Sequence, residues 1–173
     1  MLTKFATALT ALLTLTAFQA SALPEDRDQP IHITANKARI DDKTGITTYI
    51  GDVVITQGTM LIEADHVDMY RGDEGIDKLI AKGAPAHFRQ KPTAEDPYSD
   101  AWGLHMVYEV DIEKLTITQQ AKVIQEQDTF TGEKIIYDLT RSIVNAFGSQ
   151  DSNEQSSGRV NMVIQPKKKN KAN

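Results

Sequence analysis

Four histidines and several closely spaced carboxylates are the residues of this sequence that could do chemistry. The densest group is Asp65, His66 and Asp68, whose side-chain types can bind a divalent metal. In an extended strand, however, consecutive side chains point to opposite faces, so Asp65 and His66 could not easily hold one ion. The group is therefore interpreted as a solvated polar edge, and no metal site is predicted. Separate predicted strands hold the other histidines, His32, His87 and His105.

Catalytic arrangements find little support in the sequence. Glu63 and Glu133 could form an acid–base pair, but both have the outward parity of their predicted strands, which favours surface positions. The tripeptide Arg71-Gly72-Asp73 could bind an adhesion receptor, yet such residues are also expected in a glycine-bounded turn. The sequence contains neither a Gly-x-Ser-x-Gly nucleophile motif nor a glycine-rich phosphate loop. We predict no catalytic residue, no cofactor and no enzymatic activity.

Length and composition restrict the remaining functions. Residues 1–22 have a basic start, an apolar run and an Ala-Ser-Ala ending, which is the pattern of a cleaved signal peptide. The rest is predicted to be one domain, residues 23–166, with a linker-like stretch at residues 148–158 and a basic, disordered tail at residues 167–173. The chain has no cysteine, and its net charge of −5 disfavours nucleic acid as a partner. In a bacterium, these features predict the periplasm or the exterior.

Apolar residues alternate with polar ones along most of the chain after the signal, which is the period of half-buried strands. The alternation changes parity at His66 and Val67, as a bulge requires. No stretch of helical period is convincing. The sequence therefore predicts an all-β fold of many short, mostly antiparallel strands. Glycine, proline and aspartate predict turns at residues 41–45, 57–58, 71–75 and 82–85.

One strand pattern occurs twice. Residues 51–71 and 121–141 are identical at six positions at a fixed offset of seventy residues. One unit alone would leave an apolar face uncovered, whereas two units can cover each other or stack edge to edge. The repeat therefore indicates a strand-turn-strand module used twice, which is a structural feature. The identical pairs are Val53/Val123, Gln57/Gln127, Thr59/Thr129, Glu63/Glu133, Asp68/Asp138 and Arg71/Arg141.

The inward-facing positions of these strands form the remaining candidate site. They mix methionine with aromatic residues, which make adaptable surfaces for long apolar ligands. A filled β-sandwich core would use the same positions, so composition alone leaves both a lipid cleft and a plain core open. Met162, in a predicted last strand with Val160 and Ile164, and Ile112 also have inward parity. The candidate lipid-binding residues are Ile31, Ile33, Val53, Ile55, Met60, Ile62, Phe88, Met106, Tyr108, Val110, Ile117, Phe130 and Tyr137.

Four phrases, in this order along the chain, resemble one family of bacterial proteins. They are QPIHI at residues 29–33, GDVVITQGTMLIEAD at 51–65, KGAPAHF at 82–88 and MVYE at 106–109. Together they are similar to the OstA-like family of periplasmic lipopolysaccharide transport proteins, the LptA family, over about residues 29–148. The loop at residues 90–100 and the chain after Gly148 match no phrase of the family.

The resemblance implies a twisted, incompletely closed antiparallel β-jellyroll whose apolar interior receives the acyl chains of lipopolysaccharide. Within the matching phrases it implies lipid contacts at Ile31, Phe88, Tyr108 and Val110. It also implies end-to-end self-association by β-augmentation of terminal strands, and a bridge between an LptC-like inner-membrane protein and an LptD-like outer-membrane protein. The same domain type occurs in LptC-like and LptD-like proteins, but the signal and the length favour the LptA-like form.

Two other functions stay open. One is a structural scaffold or adhesin-type subunit with the same strands, a filled core and no lipid ligand. The other is a carbohydrate-acting jellyroll enzyme, which would need paired carboxylates in a cleft lined by tryptophan. Trp102 is the only tryptophan of the chain, so this second alternative is the weaker one.

Overall fold

Alternating apolar and polar side chains form strands along most of the chain in the computed structural model. The structure describes residues 26–73, 75–93, 95–149 and 158–166. The predicted signal peptide and basic tail lie outside the described residues, as does most of the linker-like stretch. No helix in the described ranges is long and apolar enough to cross a membrane. The strands are β1 (His32–Thr34), β2 (Lys37–Asp41), β3 (Ile46–Gln57), β4 (Met60–Gly72), β5 (Gly75–Gln90), β6 (Ser99–Glu109), β7 (Lys114–Gln125), β8 (Asp128–Asp138), β9 (Ile143–Phe147) and β10 (Asn161–Val163).

These ten strands form one antiparallel sheet, which confirms the predicted all-β class. The order is β1-β3-β4-β5-β6-β7-β8-β10, with β2 pairing beside β1 on β3 and β9 pairing beside β10 on β8. The sheet is not closed, because β1 and β2 lie at one edge and β9 and β10 at the other. This is the open, jellyroll-like arrangement that the family resemblance implies.

The central strands are long and bent rather than short, which corrects the prediction of many short strands. β5, for example, runs over 16 residues. Each pairing between β3 and β8 changes register near the middle of the strands. Such bulges bend a strand and increase its twist, so a row of them folds the sheet across its width. The shifts lie at Ile50/Val53, Glu63/His66, Lys82/Ala86, Trp102/His105 and Thr118/Ala121.

The bend divides the sheet into two layers. The upper layer contains β1, β10 and the strand halves next to the connections at residues 57–60, 90–99 and 125–128. The lower layer contains β2, β9 and the halves next to the connections at 72–75, 109–114 and 138–143. The two rims of connections lie away from the bend, and the apolar faces of both layers contribute to one core.

The local sequence explains the bend. Gly51 has a φ of 82°, a left-handed conformation that suits glycine, and Gln119 and Gln120 reach 63° and 59° at the corresponding bulge of β7. A Cβ atom on Gly103 would collide with the side chain of Ile117 across the bulge of β6. Glycine inside a strand pattern is typical of such bulges and close approaches.

The predicted turn at residues 82–85 is wrong. This stretch, with a cis Ala84–Pro85 peptide bond, lies inside β5 and forms the bulge opposite β6. The predicted parity change at His66 and Val67 is confirmed, because the register shift between Glu63 and His66 falls there. The turns at residues 41–45, 57–58 and 71–75 also separate strands as predicted.

Two inward assignments, of Ile112 and Met162, are wrong. Ile112 is 55% exposed because it lies in the connection after β6, and Met162 is 51% exposed because β10 is a short edge strand. The strand β9 exposes the side chains of both Ile143 and Phe147, at 44% and 47%.

The repeated module corresponds to the β3–β4 and β7–β8 hairpins, with a shift in register. Gln57 pairs with Met60 across the first hairpin, whereas Gln125, rather than the sequence-equivalent Gln127, pairs with Asp128 across the second. The structural repeat is therefore two residues out of step with the identical residues. An even shift keeps the same side chains inward, so the apolar pattern survives it.

Candidate binding cavity

A cavity of about 540 Å³ lies between the two layers, on the side of the sheet that carries β1. This volume is within the range of roughly 300–1,000 Å³ that is typical of ligand pockets. The cavity opens between the rims, where the connection at residues 57–60 faces those at 72–75 and 109–114. It is lined by Arg27, Gln29, Ile31, Ile55, Gln57, Met60, Met69, Gly75, Ile76, Leu79, Tyr108, Val110 and Asp111.

The wall of the cavity is apolar and comes from both layers. Ile31, Ile55 and Met60 line it from the upper layer, and Met69 and Leu79 are among the side chains that line it from the lower layer. Two methionines give the wall side chains that adapt their shape at little cost. The arrangement can hold a hydrocarbon chain.

Polar side chains surround the mouth of the cavity. Gln57 donates from its amide to the backbone carbonyls of Arg27 and Gln29, both at 3.0 Å. Arg27 forms an ion pair with Glu113, with 2.9 Å between Nη2 and Oε1. Charged and hydrogen-bonding groups are therefore found at the rim, while the interior wall is apolar.

An aromatic contact joins the two layers beside the cavity. The rings of Phe88 and Tyr108 meet at 5.6 Å between centroids and an interplanar angle of 54°. Burial raises the pKa of Tyr108 to about 12, and the charge of Glu113 acts in the same direction. Farther along the sheet, the hydroxyl of Tyr137 donates to the buried Ser99 hydroxyl at 3.2 Å, and burial raises the pKa of Tyr137 as well. Tyr137 and Ser99 thus join the two layers next to β8.

The structure sorts the thirteen candidate lipid-binding residues into three groups. Five line the cavity: Ile31, Ile55, Met60, Tyr108 and Val110. Six are buried in the same core without lining it: Val53, Ile62, Phe88, Met106, Ile117 and Tyr137. Two are partly buried and pack against that core: Ile33 and Phe130.

Sequence reasoning missed much of the lower wall and the rim. Met69 and Leu79 have inward parity, and counting every inward residue of β4 and β5 would have found them. Ile76 lies beyond a second register shift, between Tyr70 and Arg71, that no sequence signal marks. Arg27 is distant from Glu113 in sequence by 86 residues, so their pairing could not be read from spacing.

His66 and His87 do not line this cavity and contact carboxylates of their own or neighbouring strands instead. His87 contacts Glu63 at 2.9 Å and Asp100 at 2.7 Å, and its ring stacks on Trp102. His66 contacts Asp68 at 3.1 Å. Glu133 is exposed on β8. Over the described ranges, no group of three or more metal-binding side chains is placed to hold an ion.

The fold and the cavity define an open β-jellyroll with an apolar interior. Residues 32–143 match the family described as LptA/(LptD N-terminal domain) LPS transport protein. The chain is 42% identical to the lipopolysaccharide export system protein LptH of Pseudomonas aeruginosa, over 96% of this chain and 98% of that protein. It is 30% identical to the export system protein LptA of Escherichia coli K12, over 91% and 83% of the two chains.

A solved structure agrees with these comparisons. It is the crystal structure of LptH, the LptA-homologous periplasmic component of the lipopolysaccharide transport device of Pseudomonas aeruginosa. The TM-score is 0.75 at 42% identity, and the match covers 83% of this chain and all of the other. The chain belongs to the LptA/LptD N-terminal domain family of lipopolysaccharide transport proteins.

Proposed function

We propose that this protein is a periplasmic bridge component that binds lipopolysaccharide and passes it from the inner-membrane to the outer-membrane transport complex. The observation that carries the proposal is the cavity between the layers, which has an apolar wall and a polar mouth. The membership of the family and the names of the relatives supply the substrate, because those proteins are lipopolysaccharide export components.

Shelter from water is the physical contribution of the protein. Each methylene group that leaves water gains about 0.8 kcal/mol, so an acyl chain crossing an aqueous compartment needs continuous apolar cover. The acyl chains lie between the layers, against residues such as Ile55, Met60 and Leu79, while the sugar and phosphate groups stay at the rim. Binding and release need no covalent step, and the energy for directional transport comes from another component.

The two edges of the sheet are the proposed joining surfaces. β1 and β2 at one edge, and β9 and β10 at the other, each pair on one side only within the described part of the chain. Unpaired edge strands accept further strands by β-augmentation. The edges also expose apolar side chains, including Ile40 at 61% on β2, Phe147 at 47% on β9 and Val163 at 49% on β10. Copies of the chain, the LptC-like protein and the LptD-like protein are the proposed occupants.

Site-specific photo-crosslinking in cells that make lipopolysaccharide tests the proposal. A photoreactive residue at Val110, which lines the cavity, should label lipopolysaccharide, whereas one at Glu109, on the outer face of β6, should not. Depletion of the protein should also leave newly made lipopolysaccharide at the inner membrane. Labelling from Glu109 but not Val110 would reverse the assigned faces. A lack of labelling at every inward position, with normal export on depletion, would favour the scaffold alternative.

A further inference from the structure

A short segment crosses the upper rim at the mouth of the cavity, and we call residues 26–29 the strap. Asp26 fixes it to the rim, because its carboxylate accepts hydrogen bonds from the backbone N–H and the hydroxyl of Thr59, both at 2.7 Å, and from the amide of Gln90 at 2.8 Å. The amide of Gln57 holds the next carbonyls of the strap. These hydrogen bonds therefore fix the strap to the upper layer.

The side chain of Arg27 reaches from the strap to the lower layer. Its partner Glu113 lies in the β6–β7 connection, where its backbone N–H donates to Val110 O at 3.2 Å and its carbonyl accepts from Leu139 N at 3.0 Å. The second carboxylate oxygen of Glu113 accepts from the Thr140 hydroxyl at 2.9 Å. Both ends of the Arg27–Glu113 pair are thus held by their own layer, and the pair spans the mouth of the cavity.

The pair is suited to open. The Arg27 side chain is 46% exposed and that of Glu113 is 30% exposed, and ion pairs this accessible to water contribute little to folding stability. An arginine guanidinium is also a fork-shaped donor that fits a phosphate at least as well as a carboxylate. Arg27 can therefore change partners without unfolding its surroundings.

We propose that Arg27 is the head-group recognition residue of the cavity and exchanges Glu113 for a phosphate when a phosphorylated lipid enters. The inference rests on the proposed function, because acyl chains held between the layers leave their head group at the rim. The strap and the β6–β7 connection beside Arg27 also carry the acidic side chains of Asp26, Asp28, Asp111 and Glu113, which repel a phosphate. When the cavity is empty, the same arginine bridges the mouth.

Displacement of a fluorescent fatty acid from the cavity tests the exchange. The competitors are lipid A with both phosphates and the same lipid A after removal of both. We expect the wild type to prefer the phosphorylated form. Arg27→Gln should bring the ratio of the two dissociation constants close to one, which removes a preference of about two- to fivefold for the phosphorylated form. Glu113→Gln should bind the phosphorylated form more tightly, because it removes the competing carboxylate.

Arg89→Gln is the matched control. The Arg89 side chain is 42% exposed, pairs with Asp100 at 2.7 Å and lies on the outer face of β5. It should keep the wild-type ratio. An unchanged ratio in Arg27→Gln, or weaker binding of phosphorylated lipid by Glu113→Gln, would overturn the proposal.

Two further measurements distinguish head-group recognition from a free-anion site and from a failure of the proposed function. Inorganic phosphate, titrated at constant ionic strength in a calorimeter, should not bind saturably in the absence of lipid. Saturable binding that is lost in Arg27→Gln would assign the site to the free anion and overturn the head-group role. If the wild type binds neither lipid A form, the proposed function itself fails. If it binds both forms equally and tightly, the function stands and the role of Arg27 falls.

Discussion

Substituting Ile31 by glutamate should remove most of the affinity for an acyl chain without unfolding the protein. Ile31 lies just before β1, is partly buried and lines the cavity from the upper layer. A carboxylate at this position stays hydrated, so the part of a bound acyl chain beside it remains exposed to water. Tyr108→Asp would not serve the same purpose, because only 7% of Tyr108 is exposed and burying an unpaired carboxylate there would unfold the sheet.

The magnitude follows from the hydrocarbon that loses its cover. A glutamate side chain is about as long as three methylene groups, and each methylene left in water costs about 0.8 kcal/mol. The expected loss is therefore about 2.4 kcal/mol, or about 50-fold in the dissociation constant. The loss in folding stability should be smaller, about 1–1.5 kcal/mol, because Ile31 is only partly buried and lies outside the strands.

Fluorescence titration with an environment-sensitive fatty acid measures the affinity, and urea unfolding measures the stability. His32→Glu is the matched control, because it introduces the same side chain one residue later on the exposed face of β1. It should bind the probe as the wild type does. Wild-type affinity in a folded Ile31→Glu variant, or an equal loss in His32→Glu, would refute the placement of the acyl chain.

Three other outcomes are expected. Phe147→Asp should reduce the mass of assemblies seen by light scattering at high concentration, because it removes apolar surface from the β9 edge. Ile112→Asp, at a similarly exposed turn position, should not reduce it. Equal effects of the two substitutions would exclude edge pairing. Because the folded-state pKa of Tyr108 is raised to about 12, its contribution to the free energy of unfolding is complete below about pH 10 and falls by up to about 3 kcal/mol as the pH rises toward 12. Urea unfolding at increasing alkaline pH should show a smaller decrease in the free energy of unfolding for Tyr108→Phe than for the wild type. An equal decrease in both proteins would contradict the burial of the Tyr108 hydroxyl. Gly103→Ala should lower the free energy of unfolding by about 1–3 kcal/mol, because the new Cβ collides with Ile117; an unchanged urea midpoint would contradict a tight bend at this point.

The alternation of apolar and polar residues predicted the strands and their inward faces, because successive side chains of a strand point to opposite faces of the sheet. The change of parity at His66 was visible for the same reason, since a bulge reverses the alternation. The stretch at residues 82–85 misled the prediction because glycine and proline mark both turns and strand bulges. Only the pairing of Lys82 with His105 and of Ala86 with Gly103, on a strand distant in sequence, decides between the two.

The cavity was less predictable than the fold. Parity selects inward residues, but whether an inward residue faces space or another side chain depends on what the opposite layer places against it. Phe88 and Tyr108 both have inward parity in the sequence, and only the structure shows that Tyr108 lines the cavity whereas Phe88 is buried in contact with it. The same limit applies to the rim, where Arg27 and Glu113 belong to different layers.

Under the proposed function, the way in which the layers are joined determines how the cavity could admit a lipid with several acyl chains. Strand pairing runs along the sheet within each layer, so moving the layers apart need not break the hydrogen-bonded ladder. What resists separation is the bend, side-chain packing, the Tyr137–Ser99 hydrogen bond and the Arg27–Glu113 pair. Exposed ion pairs and neutral hydrogen bonds are weak compared with the burial of acyl chains, which gains about 0.8 kcal/mol per methylene. A lipid that replaces side-chain contacts with its own hydrocarbon would therefore offset the cost of opening.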